Sequence, residues 1–249
     1  MSSSLPVFSV DELPETGETT LDGPEGKHAA TVRRTRTGAA LLLSDGRGGL
    51  ARCEVLDVGR DTLRLSVVHS WRVPAPDVRV RLVQALVKGE RGELAVELAT
   101  EAGVDAVTPW RASRCVARWD DGPRGAKALS RWRNTATQAA KQARRPWTPE
   151  VEEPRGTRGV TELVEHTRAA LVLHESAETP LASVAIPDEG EIALVVGPEG
   201  GVSADELDAL TSAGAQPVRL GPEVLRASTA GAVALGALGV LTDRWPRSS

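Results

Sequence analysis

Two glycine-containing turns near the carboxyl end hold the residue types best suited to gripping a ligand through the main chain. The first is Gly197-Pro198-Glu199-Gly200-Gly201, directly after the apolar run at 192–196. The second is Leu220-Gly221-Pro222-Glu223-Val224-Leu225-Arg226, which follows a short run at 217–220 and leads into Ser228-Thr229-Ala230. A short apolar run that stops at glycines reads as a buried strand feeding a tight turn. Turns at the carboxyl ends of strands are where open α/β sheets put their ligands. Neither turn is a nucleotide fingerprint, since there is no Gly-Lys-Ser/Thr phosphate loop and no GxGxxG opening a helix. Alone, the first turn fits a plain loop as readily as a ligand site. The pair favours a cleft.

The surrounding pattern supplies elements to hold these turns. Ser203 stands three residues before Glu206, a capping-box spacing that starts a helix. The run at 231–240 is so rich in small and aliphatic residues that it predicts a helix packed inside the domain or across a subunit interface. Upstream, strands are predicted at 78–86, 104–108 (ended by Pro109) and 170–174, with helices at 90–102, 127–144 and 161–169. The accessible side of the long helix is expected to carry Arg131, Arg133, Lys141 and Arg144, with Trp132 and Gln142 among them. Alternating strands and helices predict an α/β fold with a mostly parallel sheet covered on both faces. Residues 5–73 read differently: close-spaced strands at 39–44, 49–56 and 62–68 predict a compact β-barrel. Val73-Pro74-Ala75-Pro76 reads as a stiff hinge between the two.

Composition sets the outer limits. A chain of 249 residues can form one large or two smaller domains, and its 41% apolar and 26% charged content is that of an ordinary globular protein. No apolar run is long enough to span a bilayer, and the amino end lacks a signal-peptide pattern. The only cysteines, Cys53 and Cys115, lie far apart without histidines at ligand spacing, so no metal or disulfide is expected and a reducing cytoplasm is the default. The net charge of −4 argues weakly against nucleic acid, but basic residues crowd into 27–36, 72–91 and 111–145. Local patches rather than the total set the field that a phosphate backbone meets. The segment from Lys27 and His28 to Arg33 and Arg34 fits either a helix that meets RNA phosphates or a solvated charged face.

Taken in order, these motifs resemble the RsmE family, 16S ribosomal RNA uridine methyltransferases of the SPOUT superfamily. The resemblance rests on Lys27-His28 with Arg33-Arg34, on 100–104, on Ser113-Arg114-Cys115-Val116, and on Arg131-Trp132. It continues through Gln142-Ala143-Arg144-Arg145, Leu173-His174-Glu175 and the two glycine turns, and so spans nearly the whole chain. The chain departs from the family pattern at Ser228, where an acidic residue is usual, and at Lys27, where a second histidine is frequent.

The resemblance implies a PUA-like RNA-binding barrel at 1–73 and a SPOUT methyltransferase domain at 74–249, with a deep trefoil knot within about 170–245. It implies a homodimer that uses S-adenosyl-L-methionine to methylate N(3) of a uridine in 16S rRNA of the small ribosomal subunit, in the cytoplasm and without a membrane. The cofactor would lie among Leu173, His174 and Glu175; Val196, Gly197, Pro198, Glu199, Gly200 and Gly201; and Leu220, Gly221, Val224, Leu225, Arg226, Ser228, Thr229 and Ala230. RNA would meet Lys27, His28, Arg33, Arg34, Lys88, Arg114, Arg131, Arg144 and Arg145. The imide N(3) carries a proton at neutral pH, so catalysis needs anion stabilisation, in-line placement or a base. Arg226 is the candidate for holding charge on a uracil carbonyl; the alternative is that it only braces the fold or pairs with Glu199 or Glu223. His174 could act as a base or simply pack. Another target, such as a ribose 2′-hydroxyl, and a non-catalytic ribosome-binding module remain open alternatives.

Overall fold

The computed structural model describes residues 5–245, which fall into two compact units. The ends of the two expected domains, residues 1–4 and 246–249, lie outside the described residues.

The first unit holds the chain up to Ala75 together with Ala140–Thr148. Its strands β1 (Val7–Ser9), β2 (Glu18–Leu21), β3 (Ala40–Ser44), β4 (Gly49–Val58) and β5 (Leu63–Arg72) form one sheet in the order β1-β3-β4-β5-β2. Side chains alternate across it: Leu41 and Leu43 on β3, Ala51, Cys53 and Val55 on β4, and Leu63 and Leu65 on β5 are buried with Phe8. Register shifts at Arg52/Cys53 and Val55/Asp57 mark bulges, which bend and twist a sheet into a curl. The strands β1 and β2 are not among those expected from the sequence, because each is too short to show alternation. The basic segment is helical, with α1 (Gly23–Lys27) running into a π-turn at His28–Val32 and ending where Arg34 adopts φ 52°. The distant segment is fastened by Lys141 Nζ to Glu25 at 2.6 Å, by Trp147 Nε1–H to the Val73 carbonyl at 3.1 Å and by Thr148 N–H to the Gly46 carbonyl at 3.0 Å.

The second unit contains β6 (Val78–Ala85), α2 (Arg91–Glu101), β7 (Ala106–Arg111), α3 (Pro123–Gln142, its last turn in the first unit), β8 (Glu150–Val151), β9 (Arg155–Gly156) and α4 (Thr157–Glu165). It continues with β10 (Ala169–Leu173), β11 (Gly190–Val196), α5 (Ala204–Ser212), β12 (Gln216–Val218) and α6 (Ala227–Leu241). All strand pairs are parallel, in the order β12-β10-β11-β6-β7-β8, with β9 also on β7. Burial on both faces explains the near-continuous apolar strands. Leu82 and Leu194 face Val96, Trp132 and Leu235, whereas Val83 and Val195 face Val160, Leu163 and Leu210.

Two sequence expectations need correction. Pro109 does not end its strand but lies within β7, between the stretches paired with β8 and β9. On that edge neither β8 nor β9 has a residue in register with it, so its missing N–H breaks no ladder. Trp132 is buried rather than on the open side of α3, in the space left by Gly92, where an added Cβ would meet its ring at 2.9 Å. Lys141 is likewise mostly covered, by its pairing with Glu25. No helix among the described residues is long and apolar enough to cross a membrane.

Candidate functional site

Because β10, β11 and β12 lie side by side and all run the same way, the loops after them converge at one edge of the sheet. They enclose a cavity of about 560 Å³, which sits in the size range of small-molecule sites. Its walls are Leu173 to Glu175 after β10, Val196 to Val202 after β11, and the chain after β12 as far as Ala230. Gly197 and Gly221 therefore belong to the same cavity.

The first glycine turn is held tight by packing. A Cβ on Gly197 would meet Val202 Cγ2 at 2.8 Å, and Gly201 takes φ 71°, where a side chain is strained. The turn closes through Gly201 N–H to the Pro198 carbonyl at 2.8 Å, and Arg114 Nη1 donates to the Gly200 carbonyl at 3.0 Å. Behind it, Ser203 caps α5 in a full capping box with Glu206. The Glu206 carboxylate reaches further than a cap requires. It accepts from Ser113 N–H at 2.7 Å, Ser113 Oγ at 2.8 Å and Thr157 Oγ1 at 2.9 Å, besides Ser203 Oγ at 2.8 Å. Burial alone would raise its pKa, but hydrogen bonds from Ser113, Ser203 and Thr157 more than offset this and hold the carboxyl below the usual glutamate range. One buried anion thus ties the β7–α3 loop, the start of α4 and the glycine turn together.

Every residue expected to bind the cofactor lines this cavity except Thr229, whose N–H turns back to the Arg226 carbonyl at 2.9 Å. The apolar side chains Leu173, Val196, Leu220 and Leu225 sit beside the exposed backbone of two turns. Such a wall suits a flat heterocycle with polar edges, so the residues present fit an adenosyl group. The sequence reading did not reach Val87 and Arg91, which also line the cavity. They come from the loop after β6 and the start of α2, and nothing in their local sequence marks them as ligand-facing. Arg226 is the N-cap residue of α6, exposed, and makes no ion pair with Glu199, Glu223 or any other described residue. His174 lies just beyond β10, its Nδ1 accepting from Ser176 N–H at 3.2 Å, which leaves the proton of a neutral ring on Nε2.

The expected RNA-facing residues divide between the units. Lys27, His28, Arg33, Arg34, Arg144 and Arg145 belong to the first, and Lys88, Arg114 and Arg131 to the second. Of these, His28 packs edge-on against Phe8 and Arg131 pairs with Glu93 at 3.0 Å. Lys27, Arg33, Arg34, Lys88, Arg114 and Arg144 are exposed.

Residues 74–239 match the model of the RNA methyltransferase domain family, and residues 21–68 match that of the RNA methyltransferase PUA domain. The ribosomal RNA small subunit methyltransferase E of Mycobacterium bovis is 54% identical over 98% of this chain and 94% of its own length. This chain belongs to the RsmE family. The Bacillus subtilis RsmE is 27% identical over 93% of each chain. The crystal structure of the Neisseria gonorrhoeae RsmE bound to S-adenosyl methionine superposes with a TM-score of 0.85 at 26% identity, covering 96% of this chain and 98% of that one. The curled sheet of the first unit is accordingly PUA-like, and the parallel α/β unit is the RsmE methyltransferase domain.

Proposed function

We propose that this protein transfers a methyl group from S-adenosyl-L-methionine to N(3) of a uridine in the 16S rRNA of the small ribosomal subunit. Residues 1–73 would act as the PUA-like RNA-binding domain and 74–249 as the SPOUT methyltransferase domain. The observation that carries the reading is the meeting of three strand-end loops around one cavity in an RsmE-family chain. Bound there, the cofactor supplies a methyl group on a sulfonium. Leu173, Val196, Leu220 and Leu225 would cover an adenine, while the backbone around Gly197 to Gly201 and at Gly221 would bond its edge. Arg226, free of carboxylate partners at the cavity, would hold the negative charge that develops on a uracil carbonyl as N(3) loses its proton. A base whose N(3) is the acceptor must be unpaired, because that atom lies in the pairing edge. Lys27, Arg33, Arg34, Lys88, Arg114, Arg131, Arg144 and Arg145 would meet phosphates, with His28 beside them.

The same reading gives the segment at about 170–245 a deep trefoil knot. In its support, β12 pairs with β10 at the sheet edge, and the chain then returns to lay α6 on β6, Gly231 close against Leu82. It also gives a homodimer in the cytoplasm. Supporting the dimer, Val233, Val240 and Leu241 form an exposed apolar stripe at helical spacing on α6. Calorimetric titration with S-adenosyl-L-methionine tests the cavity: one site per chain is expected, and no heat of binding would refute the reading.

A further inference from the structure

A second recess, of about 420 Å³, opens on the β7–α3 loop of the same unit. Leu86 lines this recess and Val87 the loop cavity, so neighbouring residues, about 3.8 Å apart at their Cα atoms, stand between the two. Arg114, whose Nη1 bonds the Gly200 carbonyl, is flanked by Ser113 and Cys115, which both line the recess. The recess and the first cavity thus share a wall at residues 86–87.

Its chemistry is specific. Arg111 spends Nη2 on Asp121 at 2.6 Å, but its Nε–H is shut off from solvent without a hydrogen-bond partner among the described residues. An unmet buried donor is costly, which marks Arg111 as an under-bonded guanidinium in the wall of the recess. Arg118 is exposed and has no ion-pair partner among the described residues. Trp119 is half-buried and braced edge-on against the buried Trp132, ring centroids 4.9 Å apart, so its ring is a fixed platform. Asp120 and Asp121 balance Arg111 and Arg118, so the charged side chains lining the recess sum to zero. That balance disfavours a phosphate, whereas a nucleobase edge offers acceptors to the guanidiniums, donors to the carboxylates and a face to the indole.

We propose that this recess receives the unpaired base adjacent to the methylated uridine and reads its edge, which rests on the function proposed above. The target itself cannot fill the recess, because its pairing edge must be turned toward the methyl donor. Its neighbour along the strand can.

Two measurements test this. Short single-stranded RNA with 4-thiouridine next to a central uridine is irradiated with the full-length protein, and the crosslinked peptide is mapped by mass spectrometry. Methyl transfer to small subunits from cells lacking the enzyme is then compared for wild type, Trp119→Leu and the exposed Arg118→Ala. We expect crosslinks in the peptide containing Trp119 and, in both variants, a KM for subunits raised about tenfold or more. The KM for S-adenosyl-L-methionine should stay within about twofold, which a merely structural defect would not allow. An unchanged KM for subunits in both variants overturns the proposal, whatever the crosslink. If the wild type transfers no methyl group, the function above fails and the crosslink decides: at Trp119 the recess still holds a base, and elsewhere or nowhere it does not.

Discussion

At Arg226 an exposed guanidinium stands at the cavity with no carboxylate paired to it, which leaves its donors available to a charge that forms there. Replacing it by Ala should lower kcat by about 100-fold or more while S-adenosyl-L-methionine still binds, as for the loss of one oxyanion donor; single-turnover kinetics with calorimetry separates the two effects. Gly197 makes the complementary point. Gly197→Ala would drive a methyl into Val202 and shift the turn, so cofactor affinity should fall at least about tenfold in a protein that still unfolds cooperatively. Glu206 links stability to pH. Its carboxyl titrates lower in the folded chain than in the unfolded one, so its contribution is complete above the ordinary glutamate range and fades as the pH falls through and below it. Glu206→Gln should cost about 2 kcal/mol near neutral pH and flatten the acid limb of urea-unfolding midpoints. The Ser203–Glu206 cap was legible from spacing. The bonds to Ser113 and Thr157 were not, because they span 93 and 49 residues and leave no local trace.

The elements that hold the site are ordinary in pattern and unusual only in where they end. Alternation and apolar runs were enough to find β6, β10, β11 and the long helices within a few residues, since each buries a face whose period shows in the sequence. What failed was short or locally contradictory: β1 and β2 are too brief to alternate, and Pro109 looked like a terminator because its edge of β7 could not be seen. The fastening of the last helix was equally hidden. Just after α6, Arg244 pairs with Asp105 at 2.7 Å and also donates to the carbonyls of Val78 and Gly103, with both side chains largely buried. Breaking a buried pair strands the remaining charge, so Arg244→Ala should destabilise the protein by about 3 kcal/mol in equilibrium unfolding. The effect should appear chiefly as stability, with the KM for RNA little changed.

For the molecule as a whole, family resemblance carried what periodicity could not. Strand order tells where ligands collect, and both glycine turns did prove to share one cavity, yet neither a methyl donor nor an RNA target follows from spacing alone. In the proposed dimer the apolar stripe on α6 would form the contact, and Val240→Asp should then shift the mass seen by light scattering from dimer to monomer. Most direct is the nucleoside itself. Small subunits lacking the modification, incubated with the purified protein and S-adenosyl-L-methionine, should yield 3-methyluridine in the digested 16S rRNA by mass spectrometry. A 2′-O-methylated nucleoside, or no methylated nucleoside at all, would contradict the account.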